Sequence, residues 1–523
     1  MQSFKALSPY FTSGTAESET PIIDAAYVST EGVVDIINPP AGNPRLLVGK
    51  KGSGKSIVLR YFRNRLTEAG IPVLLLHPSD LDGTRLPSDK SLGSLIRFYK
   101  DEIVTSIAAH LGRGLKGFLS AEDEITLSRI ARAAKTRSGD WYEEALKFII
   151  PIGAGITKVD FSKLALSLAA DINGAQMQKA IKANLGKQEK FFYYLFDDTD
   201  QVADPADPHH LNRIWAFILA LRQIMEYCPN IRCIVTLRAE VWIRLGRDSS
   251  TQRDQVDHVR ELVHELNPTE SDVRDIAERR FELARADAGL PQTSELTKLF
   301  FEGEVILPEF DQTRSWYDFL VKRSRERPRD LVQLVCKLVK AAEKDRNKPD
   351  KVKAVHAATV VPIFSKERVE DLRREVEDEC PSIEAIVRTF AAATYDLAGF
   401  SMTAASLLKH LERVPSSVSV MLYGKRIRQM DEESAFILWK YLFDVGFLGA
   451  RYADARRPKG FTHKSVRDDS TLIDRNRRHE LDLIHWDINP AYRDFLHSLR
   501  EVEFLGLPNR GAKARPRNSH PQF

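Results

Sequence analysis

Leu46-Leu47-Val48-Gly49-Lys50-Lys51-Gly52-Ser53-Gly54-Lys55-Ser56 is the stretch on which the reading of this chain turns. An apolar run enters a loop with three glycines, and the loop closes on Gly54-Lys55-Ser56, completing the G-x-x-x-x-G-K-[ST] pattern. A phosphate group is held when several backbone N–H groups converge on one spot, and side chains would obstruct that approach. Glycines leave the space and permit unusual φ values. The apolar run before the loop predicts a strand, and the residues after it predict a helix whose N-terminal end adds favourable charge. Residues 49–57 (Gly49, Lys50, Lys51, Gly52, Ser53, Gly54, Lys55, Ser56 and Ile57) form the expected cradle. Lys55 would reach the β- and γ-phosphates, and Ser56 would offer its hydroxyl to Mg²⁺. The competing reading is a glycine turn between strand and helix with no ligand.

Composition sets outer bounds. The 523 residues predict two to four domains, with 43% apolar and 29% charged residues, as in an ordinary globular protein. A net charge of +4 is too small to imply a nucleic-acid partner without a local basic patch. Cys228, Cys233, Cys336 and Cys380 show no repeated C-x-x-C, so a reducing cytoplasm is expected and neither a disulfide framework nor a zinc site is. The N-terminus Met1-Gln2-Ser3-Phe4-Lys5 lacks an apolar signal core. The longest uncharged apolar run, Phe148 to Thr157, is too short to span a bilayer, so no membrane association is expected. The basic tail from Arg510 ends in Ser519-His520-Pro521-Gln522-Phe523, which resembles part of a streptavidin-binding tag and is set aside.

Working outward, Ser56 to Ala69 has helical apolar spacing and Ile71 to His77 is a continuous apolar run, as a strand buried on both faces requires. Strand, loop, helix and strand make the βαβ unit of an α/β fold. The preceding segment, 1–44, holds Tyr27 to Ile37, a candidate adenine cover or simply a core-packing element. Residues 90–147 read as helix, 148–170 as a strand or hairpin excursion, and Ala175 to Leu185 as helix again. Together they form an insertion at about 90–190.

Phe191-Phe192-Tyr193-Tyr194-Leu195-Phe196 then delivers Asp197-Asp198 to the C-terminal end of a buried strand, where open α/β sheets place their ligands. Asp197 is placed to hold Mg²⁺ and Asp198 to orient a water; the pair also suits a helix N-cap. Asp200 reads as a cap or an ion-pair partner. Asn230 to Leu237 is another buried strand ending in Thr236-Leu237-Arg238. Arg238, or second Thr236, could sense the γ-phosphate there, unless Arg238 pairs with an acid of the next loop. Arg244, Arg247 and Arg253 follow as candidates to reach a neighbouring subunit's nucleotide. Val259 to Leu266 has helical spacing where a fifth strand is expected.

Residues 269–345 read as a helical lid. Within it Arg325-Glu326-Arg327-Pro328-Arg329-Asp330 precedes a helix, placing Arg329 like a second phosphate sensor or as part of a solvated helix entry. The charged stretch 343–351 marks a boundary. Beyond it, 351–505 reads as helices (Ser365 to Ala392, Phe400 to Arg413, Glu432 to Val445), a ribbon, and a last strand and helix over Asp482 to Leu499. That is the order of a winged helix. Arg456, Arg457, Lys459 and Lys464 would sit on its tip and Lys425, Arg426 and Arg428 on the preceding loop, a cluster able to meet phosphates.

The phosphate loop, the Asp197-Asp198 strand end, the Thr236-Leu237-Arg238 strand end, the Arg327-Pro328-Arg329-Asp330 element and the winged-helix-like domain occur in one order. That order resembles the AAA+/STAND superfamily of P-loop ATPases, most of all bacterial relatives of the origin-recognition and KAP groups. The resemblance covers roughly residues 20–345 and, more faintly, 380–500. It implies an α/β P-loop sheet with a helical lid, ATP and Mg²⁺ as cofactors, homo-oligomerisation, and a slow ATPase, because Asp198 replaces the usual glutamate. It further implies a switch or scaffold in anti-phage defence with a separate effector protein. Two other readings remain: a DNA-binding loader of the origin-recognition type, with the C-terminal domain on nucleic acid, and a scaffold that binds ATP without turnover.

Overall fold

Two compact units make up the chain: residues 14–272, and residues 1–13 together with 273–523. The structure, a computed structural model, describes residues 2–29, 42–81, 86–115, 174–187, 191–202, 209–247, 259–307, 312–397, 400–456 and 460–505 apart from 467 and 470, with isolated positions between these stretches. The expected hairpin excursion at 148–170 lies outside the described residues, as do Arg253, Arg457 and Lys459. Among the described residues no helix is long and apolar enough to cross a membrane.

The unit of residues 14–272 is built on a five-stranded parallel sheet. Its strands are β1 (Arg45–Gly49), β2 (Val73–Leu76), β3 (Phe192–Phe196), β4 (Ile231–Arg238) and β5 (Val263–Glu265), in the order β2-β3-β4-β1-β5. Parallel pairing needs crossovers that cover both faces, so the central strands are mostly apolar. In β3 every residue is buried. Alternation along the strands divides the core into two layers. Leu47, Tyr193, Leu195 and Ile234 face the helix Lys55–Glu68 through Val58, Leu59 and Phe62. Leu46, Phe192, Tyr194 and Phe196 face the helices Leu92–Gly114, Gly174–Lys187 and His210–Tyr227. The fifth strand expected near 259–266 is present as β5, paired in parallel with β1 from Leu46↔Val263 to Val48↔Glu265. Tyr27 is stacked on Tyr61 of the 55–68 helix, with ring centroids 3.8 Å apart.

The second unit begins with residues from the far N-terminus. Phe4, Leu7 and Phe11 are buried. Phe11 packs on Phe281 at 5.2 Å, Arg280 donates to the carbonyl of Tyr10, the Tyr10 hydroxyl donates to Asp287, and Ser3 Oγ donates to the Leu299 carbonyl at 2.8 Å. The helices Glu270–Asp287, Trp316–Arg323 and Pro328–Glu343 follow the sequence reading. Between the first two lies an antiparallel hairpin, β6 (Val305–Leu307) and β7 (Gln312–Arg314), that the helical reading of 269–345 did not contain.

The Arg-rich element is a buried ion-pair network instead of a solvated helix entry. Arg325 bonds Asp330 at 2.8 Å, Arg327 forms a two-pronged pair with Glu375, and Arg368 reaches Asp330 as well. Arg323 grips Asp494 through two bonds of 2.9 and 3.1 Å. These contacts join the 316–323 and 328–343 helices to the helices Ala354–Glu375 and Pro490–Leu505.

The C-terminal part carries a four-stranded antiparallel sheet with the order β12-β11-β13-β8, made of β8 (Ser401–Thr403), β11 (Leu448–Ala453), β12 (Phe461–Lys464) and β13 (His485–Ile488). A small hairpin, β9 (Met421–Leu422) with β10 (Lys425–Arg426), falls in the chain between the helices Ala404–Ser417 and Glu432–Asp444, after β8 and before β11. Two expectations are corrected. The helix read over Phe400 to Arg413 starts only at Ala404. Met402 instead pairs across from Trp486 in the sheet, and Thr403 caps the helix through Ser406 N at 3.3 Å. Lys464 is not on the ribbon tip: it pairs with Ala450 at the ribbon's base, and its ammonium lies 4.5 Å from the Tyr452 ring centre.

Burial makes the Arg323–Asp494 pair a sensitive point, with side chains 3% and 7% exposed. Asp494→Ala removes both of these bonds from the buried guanidinium and is expected to cost about 3–5 kcal/mol in urea unfolding. Arg323→Met combined with Asp494→Leu is expected to cost far less, because no unpaired charge is left inside.

Candidate functional site

The loop after β1 follows from three glycines with different tasks. Gly52 and Gly54 have φ of 81° and 105°, a region in which other L-residues are strained. Gly49 has no such angle; a Cβ there would meet Leu266 O at 2.8 Å and Ser53 Oγ at 2.6 Å. It is needed for close approach, since Leu266 N donates to Val48 O at 2.7 Å just beside it. Gly54 is the N-cap of the 55–68 helix, so Lys55, Ser56 and Ile57 form the first turn, whose N–H groups have no partner within the helix.

Lys55 is buried. Its ammonium donates to the carbonyls of Gly49 at 2.6 Å and Lys50 at 3.2 Å. Burial pushes its pKa down, and the nearby carboxylates of Glu240, Asp200 and Asp197 pull the other way.

The acid pair stands across β4 from this loop. β4 pairs with β1 on one side, Gly49 opposite Arg238, and with β3 on the other, Phe196 opposite Val235. Thr236, buried between them, donates its hydroxyl to Asp197 Oδ1 at 2.7 Å and accepts the Asp198 N–H at 2.9 Å. Asp198 N is also 3.0 Å from Asp197 Oδ1. Thr236, second choice as a phosphate sensor, is therefore the residue that orients the acid pair. Both hydrogen bonds to the Asp197 side chain go to Oδ1, which leaves Oδ2 for a ligand.

Asp198 sits at φ 53°, ψ 44° and makes no side-chain cap bond to the short turn Thr199–Gln201 that follows. The N-cap reading of the pair does not hold for its carboxylate. Burial raises its pKa first of all, Asp197 and Asp200 add to the rise, and Arg238 and His77 oppose it.

Arg238 pairs with Asp200, 2.9 Å from Nε to Oδ2, so it does have an acid partner, on the turn after β3 and not on the next loop. Arg244 and Arg247 lie on the helix Ala239–Arg247. Arg329, in the other unit, is at the second position of its helix, 4.0 Å from Asp371, and burial lowers its pKa.

Two residues escaped the sequence reading. His77 follows β2, and the register Leu76↔Phe196 sets it beside Asp197. Among the described residues His77, Asp197 and Asp198 are the group whose ligand atoms all lie within 4.8 Å of one another. Glu240, the second residue after β4, is the largest carboxylate influence on Lys55, and its Oε2 is buried without a hydrogen bond. Only the strand order brings either one to the loop.

The site fits a phosphorylated ligand with a divalent cation. The glycine cradle has no Cβ where a phosphate would approach, and Ser53 Oγ, Thr199 Oγ1 and Asp200 Oδ1 are buried polar atoms with no partner. The candidate cation donors, the Ser56 hydroxyl and the Asp197 carboxylate, are hard oxygens of the kind Mg²⁺ prefers. A cavity of about 560 Å³ lined by Glu17, His77, Pro78, Ser79, Asp198 and Gln201 adjoins the acid pair.

No protein-family model matches the chain, and no curated protein matches it. Solved structures do. The ORC2 protein of Aeropyrum pernix, in ADPNP and ADP complexes, aligns over 94% of each chain at 12% identity and a TM-score of 0.39. The Walker-type ATPase PABY2304 of Pyrococcus abyssi aligns over 88% of this chain and 94% of its own, at 14% identity and a TM-score of 0.38. Cdc6p of Pyrobaculum aerophilum aligns over 95% and 98%, at 12% identity and 0.31. Likeness at this level says nothing of activity, and the fold here is fixed by the strand order itself.

Two substitutions test the site's energetics. Thr236→Val removes the hydroxyl bonded to both the Asp198 N–H and Asp197 Oδ1, leaving them only their mutual contact, and is expected to cost about 1–3 kcal/mol in thermal or urea unfolding. Asp198→Asn keeps a residue that tolerates positive φ and removes a crowded charge. The folded pKa of Asp198 is raised, so its ionised form opposes folding at neutral pH and that cost disappears as pH falls through the folded value. The Asn variant is therefore expected to be more stable at pH 7, on the order of 0.5 kcal/mol after allowance for solvent screening. The advantage should vanish in melts at acid pH.

Proposed function

We propose that the chain is an ATP- and Mg²⁺-dependent P-loop ATPase of the AAA+/STAND type. One observation carries this: a glycine cradle with a buried lysine lies across a single strand from a carboxylate pair whose geometry is set by a buried threonine. Phosphoryl transfer asks the protein for position and charge neutralisation more than covalent chemistry. The loop N–H groups and Lys55 hold the β- and γ-phosphates. Ser56 and Asp197 hold the cation, which when bound neutralises charge on those oxygens. Asp198 accepts a hydrogen bond from the attacking water and orients it. Its carboxylate is one methylene shorter than a glutamate, so turnover is slow. Arg238, steadied by Asp200, is placed at the strand end where a γ-phosphate would be sensed.

The order of motifs supports the finer reading, a homo-oligomer that acts as a switch or scaffold in bacterial anti-phage defence and works through a separate effector. A second reading, a loader of the origin-recognition type, is favoured by the exposed Lys425 and Arg426 on the β9–β10 hairpin, which offer phosphate contacts to duplex DNA.

Phosphate release by the parent and by Lys55→Ala, each with and without duplex DNA, separates these readings. Slow release by the parent and a fall of about a hundredfold or more in the variant are expected. Stimulation by DNA with a steep salt dependence would select the loader. Nucleotide binding without release in the parent would remove the ATPase and leave an ATP-held scaffold.

A further inference from the structure

The end of β2 lies next to the acid pair because the sheet is parallel. Leu76 is opposite Phe196, Asp197 N donates to Leu76 O at 2.9 Å, and the next residue on each strand is His77 and Asp197. His77 is held extended at φ −121°, ψ 165° by two backbone bonds to Asp80: its N–H donates to Asp80 Oδ2 at 2.7 Å, and its carbonyl accepts Asp80 N at 2.9 Å. The main chain thus fixes where the imidazole starts.

We propose that His77 is a ligand of the cation held at Asp197 and Asp198, and that this nitrogen donor makes the site select a divalent first-row transition metal, of which Mn²⁺ is the probe, over Mg²⁺. The inference rests on the reading of Asp197 as the metal acid given above. Its support is geometric. The three ligand atoms lie within 4.8 Å of one another. A six-coordinate ion with bonds of roughly 2.1 Å sets its donors ~3–4.2 Å apart, so small side-chain rotations close the site. Asp197 is 2% exposed and the hydrogen bonds to its side chain both end on Oδ1, so its second carboxylate oxygen remains for the ion. The adjoining cavity, lined by His77 and Asp198, has room for the water molecules and phosphate oxygens that would complete the shell.

Donor chemistry then sets the selection. Mg²⁺ demands near-ideal octahedral oxygen coordination and keeps much of its water. Imidazole shifts preference toward first-row transition ions, while two carboxylates keep the site hospitable to Mn²⁺. An ATPase site with only the Ser56 hydroxyl and Asp197 would lack that bias. Asp198 would share its oxygens between the ion and the water it orients.

The test uses the full chain without nucleotide, so it does not depend on turnover. Mn²⁺ and Mg²⁺ affinities are measured by titration calorimetry for the parent and for His77→Asn, and electron spin-echo spectra of bound Mn²⁺ are read for nitrogen coupling. Expected are a directly bound nitrogen in the parent, its loss in the variant, a fall of tenfold or more in Mn²⁺ affinity, and a change of less than about threefold for Mg²⁺. Absence of nitrogen coupling in the parent overturns the proposal, and so does an unchanged Mn²⁺ affinity in the variant. Thermal unfolding checks the variant's fold, and His77→Gln replaces it if that fold is lost. Fluorescent-nucleotide binding by the parent and Lys55→Ala is run alongside: loss of nucleotide binding in the parent with Mn²⁺ coupling intact would sink the ATPase reading and leave the metal site standing.

Discussion

Parallel pairing of β4 between β1 and β3 is the constraint on which the site depends. It sets the glycine loop on one side of a single strand and two carboxylates on the other, with Thr236 in between. Parallel strands run their C-terminal ends to the same edge, so every loop that follows a strand becomes a candidate wall of one cleft. The spacing is fixed by hydrogen bonds that cannot slip by a residue without turning buried side chains to the wrong face. The chemistry of the cleft is therefore inherited from the register of the sheet.

What could be read in the sequence was what is local. The loop of 49–56 carries its own signature, and the runs that became β3 and β4 are mostly apolar because both faces are covered. The acid pair announced itself by its place after such a run. What could not be read was anything that needs two distant segments at once. His77 and Asp197 are neighbours only through the strand order, and the task of Thr236 depends on which strand lies beside β4. The same blindness explains β8: three residues contributed to a sheet whose other strands come after residue 447 leave no periodic trace. The arginines of 323–329 look like solvated charge until Asp371, Glu375 and Asp494 are brought by other helices to join the local Asp330.

Those arginines also show how the second unit trades stability for definition. Arg325 and Glu326 both have positive φ, a conformation that costs of order 1 kcal/mol or more for each non-glycine residue. Bonds from Arg325 to Asp330 and to the Tyr492 hydroxyl at 3.2 Å hold the first of them in place. Buried charge of this kind contributes little net energy over a well-packed apolar core, but it admits few alternative partners. Helices joined this way meet in one arrangement.

The division of the chain has a consequence for its birth. Residues 1–13 belong to a unit whose remainder begins at residue 273, so the sheet-bearing unit is spliced into the other one. On the ribosome Phe4, Leu7 and Phe11 emerge well before the helix containing Phe281 and must wait for it, on the order of tens of seconds at ordinary elongation rates. In that interval the inserted unit can close on its own contacts. The apolar hook then stays without its seat until the surrounding unit is made, which fixes the sequence of maturation: inner unit first, outer unit last.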